Sequence, residues 1–148
     1  MAYYQAVVLD DLGFVVTAQA GGVISGGNLV MYQSTNVTLG SDASAYTGKT
    51  IGILKASGTA ATAHETVVGM ALYNAGSGSG IAILQQGVVI LPTGSNGVSG
   101  GAPVSFMGYA DCIERTPTGS LAVTAYPIGR ALTGATAEGS FVLVRLDV

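Results

Sequence analysis

The sequence predicts an all-β protein, a small barrel or sandwich whose strands are joined by hairpin connections. Its apolar segments are short and rich in Val, Ile, Leu, Tyr and Phe, and clusters of Gly, Ser, Asn or Pro bound most of them. The chain has 23 glycines in 148 residues, and a glycine inside a helix costs about 1 kcal/mol relative to alanine. Strands and turns therefore account for this pattern better than helices do.

The predicted strands follow the chain as a series of apolar runs. The last run, FVLVRLDV, starts with four apolar residues and then alternates charged with apolar residues from Arg145 onward. That pattern is typical of a strand that starts in a core and ends half exposed. The segment TAATAHET at 59–66 has a helical pattern but is short enough to be a loop. The runs are 6–9, 14–17, 29–32, 51–54, 81–84, 87–91, 103–107, 121–126 and 141–148.

The glycine–serine tract GSGSG at 76–80 connects two apolar segments. As an anion cradle it would need a following helix or a nearby Lys or Arg, and the sequence offers neither. The tract also lies in a segment with a weaker second copy, because 68–87 aligns with 128–147 at a constant offset of 60 residues without a gap. We therefore interpret the tract as a hairpin turn at an exposed tip of a duplicated β unit.

A second pair of segments supports the duplication. GVISGGNLVMY at 22–32 aligns with GVSGGAPVSF at 97–106 when one residue is skipped. The order of glycine, apolar segment, small-residue turn and apolar segment is shared by both halves of the longer alignment. The apolar pairs that the gap-free alignment superimposes are Ile81 with Phe141 and Ile83 with Leu143.

Charged residues form only 9% of the chain, against roughly 25% in a typical soluble domain. The net charge is −3. So low a charge density does little to keep a monomer dispersed, and it favours a surface covered by partners. The composition therefore predicts an oligomer or a component of an assembly.

The basic residues are dispersed through the sequence, so they form no stripe that could neutralise phosphates, and we expect no nucleic-acid partner. The first residues, MAYYQAVVLDD, lack both the positive charge and the long apolar run of a secretory signal. No apolar run approaches the roughly 18 residues of a membrane span, and we expect no membrane partner. The five basic residues are Lys49, Lys55, Arg115, Arg130 and Arg145.

Candidate chemical sites are few, and each has a simpler interpretation. ASAYTGKT at 43–50 is one residue from a phosphate-binding loop, but a glycine-containing β-branched segment follows it where a helix is required. His64 has no second histidine to complete a metal site. Cys112 has acidic neighbours, including Asp111, which work against an activated thiolate. The sequence therefore predicts no enzyme, no cofactor and no metal site.

Five segments follow one another in the sequence: VVTAQAGGVISGGNLVMY, VGMAL, GVVILPTG, VSGGAPVSF and LAVTAYPIGRALTGATAEGSFVLVRLDV. In this order they resemble the small capsid cement, or head decoration, proteins of tailed phages. The resemblance covers roughly 14–35 and 68–148, whereas 36–66 matches less well and is interpreted as a variable loop or insertion. The chain is interpreted as one domain, 1–148, with an N-terminal arm at 1–13.

The resemblance implies a barrel-like or tulip fold and a structural function without catalytic residues. It implies a homo-oligomer, a trimer rather than a dimer, on the outer surface of the virion capsid, where it would stabilise contacts between major capsid proteins. The alternative is a β-barrel binding module displayed on the virion for carbohydrate or a host surface. The chain has no Trp and only 7% aromatic residues, which disfavours sugar stacking.

The aromatic residues near the N-terminus are the candidates for capsid contact. Tyr3 and Tyr4 lie in an uncharged stretch, and Phe14 follows shortly after. Tyrosines are enriched at the centres of interfaces, so they could anchor a partner. The alternative for the two tyrosines is an edge strand that covers the core of the protein itself.

Overall fold

The computed structural model describes residues 8–33, 51–56, 67–106, 113–115 and 127–148, and within these ranges the chain forms strands and turns with no helix. The all-β prediction is confirmed. The strands are β1 Val8–Ala20, β2 Leu29–Tyr32, β3 Gly52–Lys55, β4 Val67–Ala71, β5 Gly80–Pro92, β6 Pro103–Phe106, β7 Ile113–Arg115, β8 Gly129–Ala131 and β9 Phe141–Asp147.

Five of these strands close into a barrel. They follow the order β1, β3, β2, β4, β5, and β5 returns to pair with β1 in an antiparallel register. β3 runs parallel to β1, and the other neighbours are antiparallel. Closure pairs the strands on both sides, which removes the exposed edges that an open sheet would present. We call this barrel the first unit.

The strand β5 is long enough to belong to two units. The runs 81–84 and 87–91, expected as separate strands, form one continuous strand of 13 residues. Its C-terminal part pairs with β9, and the sheet continues through β8 and β6 to β7. Thr93, directly after β5, bridges Ile113 of β7 in a parallel sense and completes the circle. We call this second set of five strands the second unit.

The second unit repeats the pairing of the first, which confirms the duplication. The pairs β2–β3, β2–β4 and β4–β5 recur as β6–β7, β6–β8 and β8–β9 with matching partners. Ile24 and Ala75 exchange two backbone hydrogen bonds of 2.9 Å, and Val98 and Ala135 exchange two of 2.8 Å. The equivalence extends to single hydrogen bonds in the turns, beyond the general order of the strands.

The gap-free alignment is wrong in its second half, because the turn before β9 holds one extra residue. Ala71 pairs with Ile83 in the first unit, and the equivalent Ala131 pairs with Val144. Val144 is therefore the counterpart of Ile83, whereas the gap-free alignment superimposes the preceding residue, Leu143, on Ile83. By the same shift, the counterpart of Ile81 is Val142 and not Phe141.

Side-chain burial gives the physical reason for this correction. Successive residues of a strand point to opposite faces, so a slip of one residue moves each side chain to the other face. Ile83 and Val144 are both inside, whereas Phe141 is 59% exposed. The extra residue in the turn keeps the apolar residues of β9 directed into the core.

The buried apolar residues of the described ranges form two clusters. Ile83 and Leu84 are neighbours on β5, yet they belong to different clusters because their side chains point to opposite faces. The smaller cluster fills the first unit. The larger cluster fills the second unit and also includes Leu29, Met70 and Leu84 from the outer face of the first unit, each fully buried. The two units are therefore joined by a shared core as well as by a shared strand.

Candidate functional site

The residues proposed for capsid contact are only partly within the described structure. Tyr3 and Tyr4 lie outside the described residues. Phe14 lies in β1, where its backbone pairs with Gln86 of β5 between two irregularities in the register. The contact prediction for these three residues therefore stays a prediction.

The candidate chemical sites also lie outside the described residues, namely 43–50, His64 and Cys112. Within the ranges that the structure describes, no three potential metal-binding side chains come together. Those same ranges contain no helix of the length and apolar character required to cross a bilayer.

The tract at 76–80 forms a turn, as the sequence predicts. The Ser79 N–H donates to the Gly76 carbonyl at 3.1 Å, and Gly78 adopts a φ of 84°. A positive φ at the third position of such a turn is characteristic of type II, which requires glycine there. A side chain added at any of the three glycines would meet no atom within 4 Å, so the turn is an exposed tip between β4 and β5.

Two arginines face each other on the outer side of the second unit. Arg130 of β8 and Arg145 of β9 are directly opposite in the antiparallel register, and both are exposed. Directly opposite side chains have Cβ atoms about 5 Å apart, and like charges in this arrangement destabilise the sheet. The Arg130 Nη1 donates to the Gly101 carbonyl at 2.7 Å. Among the described residues, neither arginine forms an ion pair.

A shallow cleft of about 350 Å³ lies over the two arginines. Asp147 contributes the only carboxylate of its described lining, and that carboxylate accepts a hydrogen bond of 2.8 Å from Gln86 Nε2. The described lining therefore carries two positive charges against one negative charge. The described lining consists of Pro103, Pro127, Gly129, Arg130, Arg145 and Asp147.

Apolar side chains continue this surface toward the turn end of β9. Alternation along the strand places Phe141, Leu143 and Arg145 on one side. Leu132, directly after β8, is 49% exposed and donates its N–H to the Leu143 carbonyl. We call this surface the arginine face and define it as Arg130, Leu132, Phe141, Leu143 and Arg145.

The equivalent surface of the first unit is an internal contact. Met70 and Leu84 pair in β4 and β5 as Arg130 and Arg145 pair in β8 and β9. Both apolar residues are fully buried in the larger cluster. The residues equivalent to the whole cleft lining are Leu29, Val67, Gly69, Met70, Leu84 and Gln86.

The antiparallel register pairs two of the basic residues that are dispersed along the sequence. Arg130 and Arg145 are 15 residues apart in the sequence, and the antiparallel register brings them together. The signal that could have revealed them is the duplication itself. With the extra turn residue included, the alignment places two arginines at the positions of an apolar pair.

The fold is similar to that of a solved structure, the head fiber gp8.5 N base of bacteriophage phi29. The TM-score is 0.50 and the identity 17%, over 90% of this chain and 93% of that chain. At this identity the likeness is one of fold. No protein-family model matches the chain, and no curated protein matches it significantly.

Proposed function

We propose that this chain is a structural, non-enzymatic protein of a phage head, a decoration or cement subunit bound to the outer surface of the capsid. The observation that carries the proposal is the fold shared over nearly the full length of a phage head fiber base. The sequence segments that resemble head decoration proteins are a second, separate support. The partner is then the major capsid protein.

The proposed mechanism is thermodynamic. A subunit that binds only the assembled shell lowers the free energy of that shell by mass action, without changing its covalent chemistry. A homotrimer would present three copies of each contact to a symmetric lattice, which raises the overall affinity beyond that of a single contact. The low charge content of the chain, 9%, assigns most of the contact to apolar and neutral polar surface.

Exposed aromatic side chains at both ends of β5 provide such surface. Tyr73 lies near the start of the strand, 50% exposed, with its hydroxyl accepting from the Ala82 N–H at 3.1 Å. Phe141 pairs with Pro92 at the other end and is 59% exposed. Large aromatic groups of this kind are enriched at the centres of protein interfaces.

The proposal is tested with the phage that encodes the chain. The protein is expected in purified virions, and the purified chain is expected to co-sediment with heads prepared from a deletion of its gene. Decorated heads should then withstand heating to a higher temperature than undecorated heads. Light scattering on the purified chain should give about three times the 14.7 kDa of one chain.

Two results would contradict the proposal. If the chain is absent from purified virions, it is not a component of the head. Co-sedimentation without any gain in head stability would favour the alternative of a displayed binding module. Free capsid protein serves as the control, because a cement subunit should bind it far more weakly than the assembled shell.

A further inference from the structure

We infer that the arginine face is a docking surface for an acidic segment of a partner protein, with a carboxylate held between Arg130 and Arg145. The chemistry of the docking rests on the geometry of this face. Only the identity of the partner, a capsid shell protein, rests on the function proposed above.

The first argument is the unbalanced charge. Arg130 and Arg145 are directly opposite, exposed, and without an ion pair among the described residues. Asp147, the one carboxylate of the described lining, accepts a hydrogen bond from Gln86 and sets a single negative charge against the two positive charges. A carboxylate placed between the two guanidinium groups would replace a repulsion by charge-assisted hydrogen bonds, for which the planar arginine side chain is well suited.

The second argument is the use of the same face in the first unit. There Met70 and Leu84 occupy the two positions and are buried in the larger cluster. The fold therefore already uses this surface to hold another structural element. With Arg130 and Arg145 in place of this apolar pair, the surface is suited to bind an anionic group instead of an apolar one.

The third argument concerns the class of ligand. Leu132 and Phe141 are about half exposed and lie on the same face as the arginines, Leu132 two residues from Arg130 and Phe141 four residues from Arg145. A phosphate or a nucleic-acid backbone would leave these side chains in water. A polypeptide segment can contact both the arginines and the apolar side chains of the face. An acidic residue would bind the arginines, and an apolar residue would pack against Phe141. The face therefore favours a protein segment.

The experiment follows the arginine Nε–H signals by NMR during titration with a synthetic peptide that alternates Leu and Asp. The Arg130 and Arg145 signals should shift saturably. A peptide with Asn in place of Asp should bind at least about tenfold more weakly, because a charge-assisted hydrogen bond is lost. Arg145→Gln should weaken binding of the Asp peptide similarly.

The matched control is Lys55→Gln. Lys55 is exposed on β3 of the first unit, and its replacement removes the same single positive charge. Binding of the Asp peptide should be unchanged in this variant, and backbone spectra should show that both variants are folded. Equal weakening by Arg145→Gln and Lys55→Gln would overturn the inference, because it would indicate attraction by overall charge alone.

Three other results would also overturn it. They are the absence of a saturable shift, equal saturation by inorganic phosphate, and tighter binding of a short oligonucleotide. Self-association abolished by Arg145→Gln would assign the face to a second copy of the chain and overturn it likewise.

Co-sedimentation with heads separates this inference from the proposed function. If Arg145→Gln but not Lys55→Gln reduces binding to heads, both are supported. If the variant binds heads as the unaltered chain does, docking at the arginine face is wrong and head attachment stands. If the chain binds the Asp peptide but does not bind heads, docking at the arginine face stands and the proposed attachment to heads is wrong.

Discussion

Thr93 is a polar residue in the interior of the second unit that has an apolar counterpart in the first. It is fully buried, and its Oγ1 lies 2.9 Å from the Ala137 carbonyl and 3.1 Å from the Ser140 carbonyl. The equivalent residue of the first unit is Ala20. A buried hydroxyl is tolerated when it is hydrogen-bonded, so Thr93 attaches the turn before β9 to the end of β5.

Replacing Thr93 by valine should lower the free energy of unfolding by about 1–2 kcal/mol. Valine has nearly the same shape but cannot donate to either carbonyl, so the variant loses a partly buried hydrogen bond. Urea denaturation measures the change as a lower midpoint. Thr136→Val, at an exposed position of the same turn, should have almost no effect. Equal midpoints for the two variants would show that the Thr93 hydroxyl does not stabilise the turn.

At the scale of the strands, the close approach of β8 to β9 depends on a glycine. A Cβ added at Gly129 would fall on the carbonyl oxygen of Arg145. Gly69 has the same relation to Leu84 across β4 and β5. The glycine shared by the two copies of the repeat is therefore required where one strand crosses tightly over the next.

Replacing Gly129 by alanine should destabilise the protein by about 2 kcal/mol, because the obstructing atom belongs to the backbone and cannot rotate away. Gly80→Ala is the matched control, since a side chain there would meet no atom within 4 Å and Phe141 occupies the equivalent position. Thermal unfolding should show a clear loss for the first variant and almost none for the second. A comparable loss of thermal stability in both variants would indicate that backbone flexibility of glycine, and not the clash at Gly129, causes the destabilisation.

Proline explains a difference in closure between the two units. The Gln19 N–H donates to the Ile51 carbonyl at 2.9 Å and extends the parallel pairing of β1 with β3. Pro92 occupies the equivalent position and has no N–H to donate. The second unit is therefore closed at Thr93 and Gly94, whose bond to the Ile113 carbonyl measures 3.0 Å.

At the scale of the whole molecule, two copies of one fold have unlike outer faces. The face with Met70 and Leu84 is buried in the shared core, whereas the face with Arg130 and Arg145 is exposed. The same backbone arrangement thus supplies cohesion within the chain in one unit and an exposed, charged surface in the other.

This asymmetry predicts opposite outcomes for two reciprocal substitutions. Leu84→Arg should prevent folding or cost more than about 3 kcal/mol, because it places an unpaired charge in the apolar core. Arg145→Leu should leave the fold intact, since the position is exposed and the change relieves repulsion with Arg130. Chemical denaturation, with a circular dichroism spectrum of each variant, measures both. Similar losses of unfolding free energy in Leu84→Arg and Arg145→Leu would contradict the difference in burial between the two faces.

Much of the architecture could be predicted because it depends on local chemistry. The glycine clusters indicated the turns, and short apolar runs indicated strands at 29–32 and 103–107, close to the observed β2 and β6. The duplication was detectable from the repeated glycine and apolar pattern. The three residues of β7 were not predicted, because so short a strand is defined by its partner β6 and carries little pattern of its own.

The sequence by itself determined the all-β class, the exposed glycine turn and the existence of two related halves, because each follows from the conformational preferences of neighbouring residues. The tertiary structure alone decided that β5 is shared by both units, that β9 is shifted by one residue, and that Arg130 meets Arg145. These features depend on hydrogen-bonded register between segments distant in the chain. A register is selected by the burial of whole faces, and no local composition records it.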